Sequence, residues 1–224
     1  MSEYKFNRKY IKKIAKDKIS VTNFFLVTLL VFFLPTIADQ LPILQHQYVI
    51  NLFGTNISVV GMYPITYLVV TIIPIFLGYW SASYTLYVAK SEGEAMDSLA
   101  YLKTLKLNNF FNYFVKQVVA TIICCVGLII FVVPGLFFQT SFALVPYIVV
   151  ENPELGIFET LALSNRLMSS YRLELFIMYL SFLGWIFLGI FTMQLTSFYV
   201  WPYIDLSIAN LYINLKNAKA DTLV

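Results

Sequence analysis

The sequence predicts an all-α, polytopic membrane protein with six transmembrane helices, arranged as three helical hairpins and joined by cytoplasmic amphipathic helices. The chain is 59% hydrophobic and only 12% charged, whereas soluble domains average about 25% charged residues. Its 15 Lys and Arg residues are clustered, so that the ranges 19–89, 117–165 and 173–215 contain none. Because positive charge is retained on the cytoplasmic side of apolar crossings, this pattern predicts a multi-pass plasma-membrane protein with both termini in the cytoplasm.

Residues 1–20 are predicted to form a basic, amphipathic, cytoplasmic helix. Lys5, Lys9, Lys12 and Lys16 recur every three or four residues and therefore share one face of that helix. Such a row of cations attracts anionic lipids, and each Lys near the membrane surface contributes about 1 kcal/mol. We expect these lysines to anchor the segment to anionic lipid; a solvated topology signal is the alternative.

Six apolar segments follow the basic start, most of them close to the roughly 20 residues that a crossing requires. They predict a single transmembrane domain over 21–216, ahead of a short cytoplasmic tail at 217–224. The fourth segment is the shortest, with a helical length of roughly 22 Å against a hydrocarbon core of about 30 Å. The predicted segments are 22–38, 65–88, 114–133, 136–150, 175–193 and 196–215.

The connections between these segments differ on the two sides of the membrane. On the outer side, 39–64 is predicted to be a loop, and tight turns are predicted at Pro134-Gly135 and near Gln194. On the inner side, Asn152-Pro153-Glu154 predicts a helix start, with Asn as N-cap and Pro at the first helical position. A similar amphipathic helix is predicted over 92–107. The cytoplasmic face is therefore expected to be the more elaborate one.

An internal repeat links the fourth and sixth segments. Both contain Thr-Ser-Phe, then three residues, then Pro-Tyr-Ile, so the second copy repeats the first at a constant offset. A proline inside a crossing frees a carbonyl one turn earlier, and a nearby Thr or Ser hydroxyl can satisfy it. Such a kink serves either helix packing or a substrate-binding break. The residues concerned are Thr140, Ser141 and Pro146 in the first copy and Thr196, Ser197 and Pro202 in the second.

Asp205 is the clearest carboxylate inside a predicted crossing, and it follows Pro202 in the sixth segment. Acidic side chains in a membrane are costly and usually face a cavity or a partner. No Lys or Arg lies in that part of the sequence to pair with it. Together with the repeat residues, Asp205 forms a candidate intramembrane polar site, with a structural hydrogen bond as the alternative.

Catalytic and metal-binding patterns are absent from the sequence. His46 is the sole histidine, so neither a Ser-His-Asp triad nor a paired histidine metal motif can be assembled. Cys124 and Cys125 are adjacent in an apolar run and are interpreted as small apolar fillers. The net charge of +3 arises mostly in the first 20 residues, which argues against nucleic-acid binding. We expect no enzyme activity, no catalytic residue, no cofactor and no metal site.

The last part of the chain resembles a bacterial integral-membrane family catalogued as domain of unknown function 975, found mainly in Gram-positive bacteria. The resemblance is strongest over 133–215, and it implies a membrane architecture in the bacterial plasma membrane. It implies no functional residues, because the family has no established common activity. The matching stretches are Pro134-Gly135, Pro146-Tyr147-Ile148, Asn152-Pro153-Glu154-Leu155, Ser164, Leu167-Met168, Leu175-Phe176, Ser181-Phe182-Leu183-Gly184-Trp185, Pro202-Tyr203 and Leu211-Tyr212.

Two functions fit the sequence. The first is a non-enzymatic accessory or scaffold that acts through protein or lipid partners, for instance in envelope, export or antimicrobial-peptide immunity systems. Its expected partners are membrane lipids, anionic at the cytoplasmic face, and another membrane protein. The second is a small permease with a mid-membrane site around Asp205.

Overall fold

Helices form most of the computed structural model, as the hydropathy pattern predicts. The structure describes residues 7–19, 45–52, 55–62, 64–91, 96–130, 132–192 and 196–219. The first predicted crossing, 22–38, lies outside these residues. The helices are α1 Arg8–Lys18, α2 Pro64–Lys90, α3 Ser98–Leu102, α4 Leu107–Ile130, α5 Val132–Ser141, α6 Val145–Glu151, α7 Ile157–Met168, α8 Arg172–Leu180, α9 Leu183–Phe191 and α10 Ser197–Lys219.

Two stretches of the described residues are long and apolar enough to cross a membrane. They are Asn109–Ile129, within α4, and Arg172–Gly189, which includes α8 and most of α9. The number of crossings therefore stays a prediction. The last helix runs to Lys219, so it extends into the predicted tail at 217–224.

A β-hairpin occupies the region that the sequence predicts to be a loop, so the prediction of an all-α fold is incomplete. Strands β1 Gln45–Leu52 and β2 Thr55–Met62 pair antiparallel, with Leu52 opposite Thr55. The second strand is rich in β-branched residues, which favour extended backbone over helix. Asn56 and Gly61, which the sequence favours as turn residues, instead lie within β2 and pair with β1.

The fourth predicted crossing is broken into α5 and α6, because Pro146 stands at the start of α6 rather than inside a continuous helix. Proline lacks an N–H and clashes with the carbonyl four residues earlier, so a preceding helix ends before it. The chain turns at 142–144, where the Val145 N–H donates to the Phe142 carbonyl at 3.1 Å.

The predicted tight turn at Pro134-Gly135 is wrong, since both residues lie inside α5. Gly135 is instead a contact point between α5 and the end of α4. A Cβ on Gly135 would lie 2.8 Å from the Leu128 Cα, closer than side-chain carbons approach backbone. Glycine therefore permits the two helices to approach each other.

The predicted inner helix starts later than the sequence indicates. Asn152 ends α6 instead of capping α7, and its N–H donates to the Ile148 carbonyl at 2.8 Å. Helix α7 begins at Ile157 behind Gly156, whose N–H donates to the Glu159 Oε2 at 2.8 Å. The Pro153-Glu154 pair lies in the turn between the helices. In the other inner segment only α3 is helical, and 92–95 lie outside the described residues.

The core is built around α6 and α10. Helix α6 contacts α2, α4 and α7, while α10 packs against α2 and α1. Ile148 in α6 and Leu211 in α10 are completely buried. The basic helix α1 belongs to the same core, because its Ile11 and Ala15 side chains are also completely buried. The buried residues of the described helices form two clusters, one that includes α1, α6 and α10 and a second in which α4 packs against α6.

Candidate functional site

A cavity of about 420 Å³ lies among α5, α8, α9 and α10, and Asp205 forms part of its wall. Four other side chains of the wall carry polar groups: Gln139, Thr140, Tyr179 and Trp201. Most of the remaining wall is apolar, and Phe182, at the break between α8 and α9, is buried against it. This combination of an apolar wall with a few polar groups is typical of a small-molecule site.

Asp205 connects α10 to α2 and α6, two helices that contribute no described residue to the cavity wall. The Ser81 Oγ in α2 donates to the Asp205 Oδ2 at 3.5 Å, the outer limit of a hydrogen bond. The Tyr147 hydroxyl in α6 donates to the Asp205 backbone carbonyl at 3.0 Å. No Lys or Arg within the described ranges forms an ion pair with Asp205. Its carboxyl group is therefore held by one weak hydrogen bond and faces an open space.

The first copy of the repeat does not work as the sequence predicts. The Thr140 hydroxyl donates to the carbonyls of Leu136 and Phe137 at 3.0 Å, and the Ser141 hydroxyl donates to Phe137 at 2.7 Å. Neither hydroxyl bonds the Phe142 carbonyl, which accepts instead from the Val145 N–H. Thr140 and Ser141 bond carbonyls about one turn earlier in their own helix α5.

The second copy adopts a different local structure. Pro202 lies inside the continuous helix α10, and Ser197 is the first residue of that helix. The Thr196 hydroxyl lies 3.3 Å from the Thr192 hydroxyl. Of the seven residues proposed for the polar site, Thr140 and Asp205 belong to the described wall of one cavity.

A charged cluster that the sequence did not predict lies at the end of α6. The Glu151 Oε1 binds the Lys90 Nζ at 2.5 Å and the Lys216 Nζ at 2.9 Å, while its Oε2 accepts from the Tyr212 hydroxyl. In the sequence Glu151 directly precedes the predicted helix start at Asn152, a position where an acid usually serves capping and solvation. Its partners lie more than 60 positions away. The signal in the sequence is that Lys90, Glu151 and Lys216 all lie at predicted cytoplasmic ends of apolar segments.

The electrostatics of Glu151 follow from these contacts. Burial by itself would raise the pKa of Glu151, but the hydrogen bonds from Lys90, Tyr212 and Lys216 outweigh it and lower the pKa to about 2. Glu151 is therefore ionised at neutral pH. It joins α6 to the ends of α2 and α10 as an anion between two cations.

The predicted lipid anchor divides into two groups of lysines. Lys9 and Lys16 are exposed on α1, and Lys5 lies outside the described residues. Lys12 points toward the bundle, where its Nζ donates to the Ser181 Oγ at 2.5 Å and lies 3.8 Å from the centre of the Phe182 ring. Burial, followed by the charge of Arg8, lowers the pKa of Lys12. Lys12 is thus at least partly a structural contact.

A second lysine of α1 also makes a structural contact. The Lys18 Nζ donates to the carbonyls of Ala89 and Ser91, at 2.5 and 2.8 Å. These carbonyls lie at the C-terminal end of α2, where helix carbonyls lack intrahelical partners and carry partial negative charge. Helix α1 is therefore fixed to the bundle through Lys12 and Lys18 as well as through its buried apolar face.

Within the described ranges, no group of three or more His, Cys, Asp and Glu side chains is placed to hold a metal ion. No curated protein and no solved structure shows significant similarity to this chain. A family model does match, over a segment that includes the 133–215 region identified from the sequence and begins earlier. Residues 115–219 of this chain match the family described as protein of unknown function (DUF975).

Proposed function

We propose that this protein is a non-enzymatic accessory protein of the bacterial plasma membrane that acts through anionic lipids at its cytoplasmic face. The observation that carries this proposal is the placement of α1. Its apolar face is buried through Ile11 and Ala15, while Lys9, Lys13 and Lys16 are exposed. The bundle therefore carries a fixed, positively charged helix on its surface.

Docking α1 on the bundle lowers the entropic cost of binding lipid. A mobile basic segment loses conformational entropy when it binds, whereas a docked helix presents its cations already in place. Each exposed Lys near an anionic surface contributes about 1 kcal/mol. Lipid recognition by α1 therefore requires no further folding step.

The apolar surface elsewhere supports a membrane location. Ile122, Val126 and Ile129 are exposed on α4 at intervals of four and three residues, so they form one stripe along that helix. Ile129 is 84% exposed, and a contiguous apolar stripe of this kind suits contact with lipid. Phe187 of α9 adds a further exposed apolar side chain.

The test compares lipid retention by the purified full-length protein and two double variants. Lys9→Gln with Lys16→Gln removes two exposed cations and therefore about 2 kcal/mol of binding free energy. Phosphatidylglycerol binding is expected to weaken about 30-fold. Lys9→Arg with Lys16→Arg retains both charges and is expected to bind as the wild type does. Equal binding by the Gln variant would refute the proposal.

The multi-pass arrangement has its own test. Topology reporters inserted in the 39–64 region and fused to the C-terminus are expected to report opposite sides of the membrane, with the C-terminus in the cytoplasm. Both reporters on one side would contradict six crossings. This outcome is independent of lipid binding.

A small permease is the second candidate, and the cavity beside Asp205 favours it. A carboxylate in an otherwise apolar cavity can bind a cationic or protonated substrate. Flux of a substrate into proteoliposomes that requires Asp205 would support a permease. Stable co-purification with another membrane complex, without flux, would support the accessory function.

A further inference from the structure

The cavity beside Asp205 has an acidic wall without a cationic partner. Asp205 receives a single side-chain hydrogen bond, from Ser81 at 3.5 Å, and the described residues supply no ion pair. Removing a carboxylate from water costs several kcal/mol unless a cation or strong donors compensate. A ligand with an ammonium group would provide both the charge and the N–H donors.

A cation lies against one wall residue of the same cavity. Phe182 lines the cavity, and the Lys12 ammonium lies over its ring at 3.8 Å. An ammonium group has three N–H donors, and Lys12 uses one of them on the Ser181 hydroxyl. Within the described residues the other two donors have no partner, so they can meet an anionic group beside Phe182.

The rest of the cavity wall is mainly apolar. Leu136, Leu180 and Ile208 contribute to it, and the volume of about 420 Å³ lies within the usual range for small-molecule sites. A molecule that fits this arrangement has an ammonium group, an anionic group near it and an apolar part. A zwitterionic phospholipid has all three.

We propose that this cavity binds a phospholipid with an ammonium-bearing headgroup, whose ammonium meets Asp205 and whose phosphate meets Lys12. The proposal rests on the proposed function in taking lipids as the partners of this protein. It adds a second lipid class and a different site, since anionic lipids are expected at the exposed lysines of α1.

The experiment is a lipid titration of the purified full-length protein in detergent, read by native mass spectrometry. The probes are phosphatidylethanolamine and phosphatidic acid, which share a phosphate but differ in the ammonium group. Phosphatidylethanolamine is expected to bind at least about tenfold more tightly, because a hydrogen bond between charged groups contributes about 1.5–3 kcal/mol. Equal binding of the two probes would overturn the proposal.

Two single variants assign the headgroup contacts. Asp205→Asn is expected to weaken phosphatidylethanolamine binding about tenfold while leaving phosphatidic acid unchanged. Lys12→Gln is expected to weaken both probes, because both carry the phosphate. Unchanged phosphatidylethanolamine binding by Asp205→Asn would overturn the proposal.

A cavity-filling variant tests the same site if Asp205→Asn fails to fold. Leu183→Trp places a large ring at the cavity wall and is expected to abolish phosphatidylethanolamine binding. Leu188→Trp is the matched control, since Leu188 lies on the same helix α9, is similarly exposed and does not line the cavity. Equal loss in both variants, or loss in neither, would refute the site.

The same titration separates this inference from the proposed function. If the Gln variant of Lys9 and Lys16 binds phosphatidylglycerol normally, the proposed function fails whatever Asp205 does. If Asp205→Asn leaves phosphatidylethanolamine binding intact, the cavity assignment fails while the anionic-lipid surface of α1 stands.

Discussion

Replacing Glu151 with Gln is expected to destabilise the helical bundle by about 1–2 kcal/mol. The substitution preserves the size of the side chain and removes its charge. It therefore eliminates the two ion pairs to Lys90 and Lys216. The Tyr212 hydroxyl, which is buried, can still donate to the amide oxygen of Gln, so that no buried donor is left without a partner.

The magnitude follows from the pKa of Glu151. Its displacement from 4.5 to about 2 corresponds to roughly 3 kcal/mol in favour of the ionised form in the folded state. The Lys90 and Lys216 side chains are 45% and 44% exposed, so solvent screens much of this interaction. Exposed ion pairs contribute at most about 1 kcal/mol each, which reduces the expected loss to about 1–2 kcal/mol.

The pH dependence has a definite sign. The pKa of Glu151 is lower in the folded than in the unfolded chain, so its stabilisation is fully present above the unfolded value of 4.5. It is lost as the pH falls from there toward 2. The Gln variant lacks this contribution at every pH, and the stability difference between wild type and variant should shrink between pH 5 and pH 2.

The assay is thermal unfolding of the purified protein in detergent, followed by circular dichroism at pH 7 and pH 3. At pH 7 the variant is expected to melt about 2–8 °C below the wild type. Glu174→Gln is the matched control, because Glu174 also lies at a helix terminus and makes no hydrogen bond or ion pair within the described residues. An equal melting temperature for Glu151→Gln and wild type at pH 7 would refute the argument.

Two further substitutions test the helix contacts. Gly135→Ala is expected to cost about 1–3 kcal/mol, since its Cβ would lie 2.8 Å from the Leu128 Cα. Gly184→Ala has open space around its Cβ and is expected to be neutral or stabilising by about 0.5–1 kcal/mol; thermal unfolding compares the two, and equal effects would contradict the close-approach argument. Lys18→Gln is expected to destabilise the last turn of α2 by about 1–2 kcal/mol. The measurement is amide hydrogen exchange, which should become faster at 85–91. Lys16→Gln changes an exposed side chain and should leave exchange there unchanged.

Local patterns in the sequence were sufficient to locate most of the helices. The predicted segment 65–88 lies within α2, and 114–130 is helical within α4. Apolar runs of this length favour helix because every backbone polar group is then satisfied within the segment. The resemblance to the family also required only the sequence, since ordered motifs over 133–215 lie within the segment that the family model matches.

The incorrect predictions of local structure share a physical cause. Contacts with residues on other helices override the local preference of the sequence. Asn152-Pro153 has the composition of a helix start, yet the Pro153 carbonyl accepts from the Lys116 Nζ at 2.8 Å and Asn152 ends the preceding helix. Pro134-Gly135 has the composition of a turn, yet Gly135 serves as the contact between α4 and α5. Lys116 lies 37 positions from Pro153, and Gly135 meets Leu128 only because α4 and α5 pack side by side.

The sequence by itself determined the helical character, the positions of the apolar segments, the clustering of positive charge and the family match. Its short-range rules suffice there because hydrophobicity and charge act on each segment separately. Only the tertiary structure decided that Asp205 and Thr140 share a cavity, that Lys12 contacts Phe182 and that Glu151 joins three helices. These contacts connect residues that are 60 or more positions apart, and their geometry depends on how the helices pack.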